Sequence, residues 1–178
     1  MATVISHSIA ALAIGKAFAP EGMPPKFWIL TAICAALPDI DVVGFAFGIQ
    51  YRDMLGHRGL THSLSFALVL SLLVASLFFR DAHPFGTNWW VLVLYFFVVT
   101  ASHGLLDALT NGGLGVAFFA PFNNQRFFLP WRPIEVSPIG IEPFFTARGL
   151  QVIISEIKWI WIPSFILMGI PRLHKGVF

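Results

Sequence analysis

NWWVLVLYFFVVTASHGLLDAL, residues 88–109, decides how this chain is read. It opens on an unbroken apolar and aromatic run and closes on His103 and Asp107, spaced i and i+4. A helix of about 20 apolar residues crosses a hydrocarbon layer roughly 30 Å thick. Side chains four apart on such a helix share a face, with Cβ atoms about 5–6 Å apart, so the two polar groups can grip one ion. Ionisable groups inside a membrane segment are costly unless they are paired, metal-bound or facing a wet cavity. The stretch therefore predicts a membrane helix with a site at its C-terminal end.

Four further apolar segments stand out, at 4–19, 26–38, 64–79 and 150–170. With 178 residues, 57% hydrophobic and 11% charged, and a mean hydropathy of +0.78, the chain lies far outside soluble composition. The expected fold is all-α: a polytopic membrane bundle of about five helices, one domain spanning 1–178, with the lipid bilayer as its partner. The first two segments are short for a full crossing and are expected to tilt or to be shielded by neighbours. A net charge of +2 and a pI near 9.0, with no Lys/Arg-rich run, exclude a nucleic-acid interface. Cys34 is the single cysteine and forms no internal disulfide. The N-terminal stretch lacks a basic leader region and a small-residue cleavage site, so it reads as a retained helix. Nothing in the composition fixes an oligomeric state.

PEGMPP (20–25) and RDAHPFGT (80–87) are brief turns, whereas 42–62 and 110–149 are long connections. The aromatic clusters GVAFFAPF and RFFLPWRP in the second favour loops packed on the membrane interface. Five alternating crossings put starts of odd helices and ends of even helices on one side. His7, PDID (38–41), HRGLTH (57–62), SHGLLD (102–107) and Glu156 then meet at one face. The other face holds Lys16, Glu21, Lys26, Arg80, Asp81, Arg172 and Lys175, which form no comparable cluster.

The converging set has four histidines, His7, His57, His62 and His103, and four carboxylates, Asp39, Asp41, Asp107 and Glu156. A catalytic zinc ion uses three protein ligands, so the set exceeds what one ion needs and suggests two. Unneutralised, four crowded carboxylates would take up protons. Mixed imidazole and carboxylate ligands suit Zn²⁺, with Mn²⁺ or Fe²⁺ as alternatives. Two such ions about 3.5–4 Å apart suit hydrolysis of a phosphoester. Arg58, Arg126 and Arg132 share that side, and Arg58 leads as the phosphate-binding group. Asp39 and Asp41, at i and i+2, point the same way only if the chain leaves α-helical geometry; one of them could instead orient a neighbouring ligand. Each residue also has a plainer role: helix capping for the two aspartates, lipid anchoring or pairing with Asp53 for Arg58, and an arginine or Lys158 partner for Glu156. His83 and His174 read as solvated.

LPDID, GHRGLTHS and SHGLLDALTNGG, with the N-terminal His and the run RFFLPWRPIEVSPIG, resemble the LexA-regulated, membrane-bound, predicted metal-dependent hydrolases of bacteria and archaea. The resemblance covers nearly the whole chain. It implies metal positions at His7, Asp39, Asp41, His57, His62, His103 and Asp107, in a protein of the inner membrane. Relatives carry a His after PDID where this chain has Val42, which argues against an extra ligand there. The family is similar, distantly, to zinc-dependent phospholipase C and P1-type nucleases, which implies phosphoester hydrolysis.

The expected function is hydrolysis of a lipid or amphiphilic phosphoester by a metal-activated water, with Arg58 steadying charge and Asp41 or Glu156 handling protons. Two alternatives come from other classes. A small ion or proton transporter would string polar groups across the bilayer, yet segment 64–79 offers only serines. A metal-stabilised scaffold would complete its ligand sphere without an open position. No H-E-x-x-H helix supports a zinc protease, and no nucleophile elbow surrounds Ser63. The basic residues opposite the site lie in short connections and the tail, where the positive-inside bias operates, which turns the metal face outward.

Overall fold

Leu37–Phe47, the stretch that begins LPDID, continues the second helix as a 3₁₀ helix instead of opening a loop. Pro38 sits in its first turn, and the N–H it lacks leaves a carbonyl of the preceding turn without a helical donor. Every third residue, Ile40, Val43 and Ala46, faces outward, the period of a 3₁₀ helix. The segment expected to be short is thereby lengthened to Pro25–Phe47, and the connection expected at 42–62 begins only after Phe47.

The computed structural model describes residues 1–19, 22–140 and 142–170, so Glu21, Arg172, His174 and Lys175 lie outside the described residues. Five helices order it: α1 (Val4–Phe18), α2 (Pro25–Ala36, then the 3₁₀ turn), α3 (Leu64–Phe78), α4 (Thr87–Ala108) and α5 (Ala147–Gly169). Helix α5 has a π-helical segment at Ile157–Trp161. No strand occurs among the described residues, only two isolated bridges in the 110–134 connection. Pro25–Phe47, Thr87–Ala108 and Ala147–Gly169 are long and apolar enough to cross a membrane. Helices α1 and α3, at 15 residues each, rise about 22 Å and fall short of the hydrocarbon thickness.

The half of the bundle away from the polar residues is packed with Phe27, Val74, Phe79, Trp89, Leu92 and Phe96. There α1 closes on α2 and α4 through small residues; a Cβ on Gly15 would stand 2.6 Å from the Tyr95 hydroxyl. The Lys26 ammonium at the start of α2 donates to the Phe78 carbonyl at the end of α3, 2.9 Å away. The helices thus alternate in direction, and their opposite ends are left to build the site.

Candidate metal centre

His7 comes from the first turns of α1, Asp39 and Asp41 from the 3₁₀ turn, His57, Arg58 and His62 from the connection before α3, and His103 and Asp107 from the end of α4. All eight are buried, and none exceeds the 7% exposure of Asp41. The His62 Nε2 lies 3.0 Å from His103 Nε2 and 3.5 Å from both Asp39 Oδ1 and Asp107 Oδ2. Asp39 Oδ1 is 3.4 Å from His103 Nε2. The His7 ring stacks on His103 at 3.6 Å, and its Nε2 stands 3.5 Å from Asp107 Oδ1. Residues scattered over a hundred positions of sequence therefore share one small volume.

Local backbone chemistry sets this up. A 3₁₀ turn places residues two apart about 120° apart, against about 160° in an α-helix. Asp39 can then face His62 and His103 while Asp41 faces His57. Gly104 lets the 60–62 turn reach α4, because a Cβ there would meet the His62 carbonyl at 2.9 Å. Ser63 accepts from the Phe66 N–H and caps α3, which fixes where the turn ends. The aromatic connection closes over the turn, with the Ala117 N–H donating to the Arg58 carbonyl and the Leu64 N–H to Phe118.

Asp41 is a hub. Its Oδ1 is 2.7 Å from His57 Nδ1, while Oδ2 accepts from the Thr61 hydroxyl at 2.7 Å and the Arg58 N–H at 3.1 Å, and lies 3.1 Å from His62 Nδ1. Arg58 has φ of 63°, a left-handed backbone rarely used by side-chain-bearing residues. That twist turns its guanidinium inward, fully buried, with Nε 3.0 Å from Asp107 Oδ2, Nη1 donating to the Gly112 carbonyl and Nη2 to the Thr110 hydroxyl. The residue expected to meet a phosphate is instead a counter-ion inside the cluster. Arg126 also turns to the protein, donating to the carbonyls of His57, Tyr51 and Asp53; Arg132 is exposed and lies over the Phe128 ring.

Glu156 stands apart from the imidazoles. Its carboxylate accepts from the Thr3 N–H and from the hydroxyls of Thr3 and Ser6, the latter two at 2.6 and 2.7 Å. It fastens the start of α1 to α5 and belongs to neither group of potential cation ligands. Thr61, Thr110, Thr3 and Ser6 complete the network and were not singled out in the sequence; the hydroxyl next to His62 in LTHS was the one local hint. His83 is exposed.

The donor set fits a divalent cation. His103 Nδ1 is 2.7 Å from the Ala35 carbonyl, which can only accept, so its proton is on Nδ1 and a lone pair is on Nε2. The Thr61 hydroxyl gives its single proton to Asp41 and so accepts from His62 Nδ1 at 3.1 Å, which leaves the His62 lone pair on Nε2 as well. The two Nε2 atoms thus face each other at 3.0 Å, a gap bridged by a proton on His62 when no metal is bound and open to a cation that displaces it. Both Asp39 oxygens and both His7 nitrogens are buried without a hydrogen-bond partner, which is costly unless an ion uses them. Burial opposes charge on His62, yet Asp107, Asp39 and Asp41 around it push its pKa up to about 10. Burial lowers that of His57, against the pull of Asp41. Two overlapping groups have metal-ligand spacing: Asp39, His62, His103 and Asp107, and Asp41, His57 and His62.

The fold and site define a class: an all-helical membrane protein with a buried imidazole–carboxylate cluster at one end of its bundle. The family described as YdjM inner membrane protein matches residues 1–174, and the chain belongs to that family. It is similar to the inner membrane protein YbcI of Escherichia coli (strain K12), 42% identical over 169 residues, covering 95% of this chain and 96% of that one. No solved structure matches.

Proposed function

We propose that the protein is a metal-dependent hydrolase of the inner membrane that cleaves a phosphoester of a lipid or other amphiphile. The observation that supports it is the pair of Nε2 atoms facing each other at 3.0 Å beside two buried Asp39 oxygens that lack a hydrogen-bond partner. Asp39, His62, His103 and Asp107 would hold the ion. A divalent cation, zinc by this ligand set with Mn²⁺ or Fe²⁺ as alternatives, supplies Lewis acidity and lowers the pKa of a water bound to it.

The chain's own groups do the rest. His57, with Nδ1 against Asp41, keeps a buried and unpartnered lone pair on Nε2 and is the proton acceptor best placed by its partner. This role passes to it from Asp41, whose oxygens are occupied, and from Glu156, which is tied to α1. A groove of about 430 Å³, within the range of small-molecule sites, is lined by Val4, Ile5, Val42, Ile139, Phe144 and Phe145. Val42 follows Asp41 directly, so an acyl chain lying there would end beside the cluster. Resemblance to the LexA-regulated hydrolases supports the same chemistry.

The test is release of phosphate or headgroup from a phospholipid panel in mixed micelles, by purified protein supplied with Zn²⁺ or Mn²⁺. His57→Ala should lower turnover by about 10²-fold or more with its metal retained. A second reading, a metal-stabilised scaffold, draws on the closure of the cluster, in which none of the four ligands is more than 5% exposed. Full metal content with no turnover on any substrate would favour it. We place the metal end outward; Phe122→Cys, at a position 89% exposed, should then react with an impermeant maleimide in cells whose outer membrane is permeabilised.

A further inference from the structure

We infer that the cluster binds one divalent cation and not two, and that Asp41 is the positioning residue that fixes the tautomers of His57 and His62. The inference rests on the metal-centre reading above and deepens it.

The two potential ligand groups are not independent, because both need His62. Its Nε2 faces Asp39, His103 and Asp107, and its Nδ1 faces Thr61 and Asp41. An ion in the first group takes the Nε2 lone pair. An ion in the second would need Nδ1 as well, stripping the ring of both its protons. Around Nδ1 there are only acceptors, the Thr61 oxygen and Asp41 Oδ2, so the Nδ1 proton is held in place. Asp41 does the same for His57 Nδ1 at 2.7 Å. A carboxylate that receives the far N–H of a ligating imidazole fixes the ring's orientation and raises its basicity.

Charge leads to the same count. Glu156, though buried, is held by α1 and lies outside the cluster, so the carboxylates of the cluster are those of Asp39, Asp41 and Asp107. Arg58, fully buried and 3.0 Å from Asp107, neutralises one of the three. One divalent cation neutralises the remaining two, whereas a second would leave two uncompensated positive charges in a buried site. The expectation of two ions counted Glu156 among the acids and Arg58 among the substrate groups; the structure removes both from those roles.

The test is metal titration of chelator-stripped, detergent-solubilised protein with Zn²⁺, reading stoichiometry and affinity by calorimetry and by elemental analysis. Wild type should bind one ion per chain. Asp41→Asn should also bind one, about 10–100-fold more weakly, and Thr61→Val should weaken binding in the same direction. His103→Ala and Asp39→Asn should lose the ion. Cobalt(II) substitution gives a second readout: the ligand-field bands of Asp41→Asn should keep the positions and intensity they have in the wild type. Two ions in wild type and one in Asp41→Asn would overturn the inference and leave the metal centre standing, as would an unchanged affinity in both Asp41→Asn and Thr61→Val. No ion bound by folded wild type would remove the metal-centre reading itself. If Asp41→Asn does not fold, the affinity of Thr61→Val decides.

Discussion

Arg58→Met separates an internal counter-ion from a substrate-binding arginine. In the wild type the guanidinium is fully buried, 3.0 Å from Asp107, and donates to Gly112 and Thr110. Methionine fills much of the same volume but leaves the Asp107 carboxylate without its partner. Breaking a buried ion pair from one side costs about 3–5 kcal/mol, and each hydrogen bond from the charged guanidinium adds about 1.5–3 kcal/mol. A loss of about 4 kcal/mol shifts the folded-to-unfolded ratio by roughly three orders of magnitude. The assay is denaturation of chelator-treated protein in mixed micelles, followed by tryptophan fluorescence, for wild type, Arg58→Met, Asp107→Asn and the double variant. Charge removal at both positions should recover at least about 2 kcal/mol of the single-variant loss, because the two groups are in contact. An Arg58→Met protein within about 1 kcal/mol of wild type would refute the counter-ion role. If that protein also lost affinity for inorganic phosphate, the substrate-binding role expected from the sequence would return.

Three further outcomes follow from the same geometry. Glu156→Gln replaces one acceptor oxygen by an NH₂ group facing a donor, and should cost about 1–3 kcal/mol in the same assay while metal content stays unchanged; loss of the ion would make Glu156 a ligand. Gly104→Ala brings a Cβ to 2.9 Å from the His62 carbonyl, and should destabilise by about 1–3 kcal/mol and weaken metal binding, which a titration next to wild type would reveal. The His62 pKa near 10 is raised above the ordinary imidazole value, so its contribution to the stability of chelated protein is fully present below about pH 6.5 and is lost as pH rises through about 10. Metal uptake expels that proton, so apparent Zn²⁺ affinity should climb about tenfold per pH unit between pH 6.5 and 9; a flat profile would show that no proton leaves.

Where the backbone is regular, the sequence was a good guide. The segment expected at 88–109 is α4 at Thr87–Ala108, and its i and i+4 pair does reach one site. Convergence of His7, PDID, HRGLTH and SHGLLD followed from parity alone, since alternating helices leave few places for their ends. The extension of α2 to Phe47 was hidden because the apolar segment was ended at 38 and 42–62 read as a connection; Pro38 and Gly44 interrupt an α-helix, but α-helix rules do not describe a 3₁₀ turn. The inward turn of Arg58 was also hidden. A left-handed φ is written into a sequence by glycine, and here it falls on an arginine held by Asp41, Asp107 and Ala117, all distant in sequence.

These departures share a location. The helices in the half of the bundle remote from the cluster are ordinary α-helix, with a left-handed Phe85 only in the turn before α4, while the 3₁₀ turn at Leu37–Phe47, the left-handed Arg58 and the π-helical segment at Ile157–Trp161 adjoin the polar end. Each re-aims a side chain that α geometry would send elsewhere. In an α-helix, positions 156 and 161 stand about 140° apart around the axis. The wider i→i+5 turn brings them toward one face. Glu156 then accepts from the Ser6 hydroxyl at 2.7 Å while the Trp161 indole N–H donates to the same oxygen at 2.7 Å. Ser6 precedes His7, so the π segment of α5 fixes the turn of α1 from which His7 stacks on His103. Irregular backbone of this kind is costly and persists where the surroundings over-determine it, as buried polar networks do. The irregular helix segments lie around the imidazoles and carboxylates, where they aim the side chains that the proposed cation site needs, and packing alone gives no reason to keep them there.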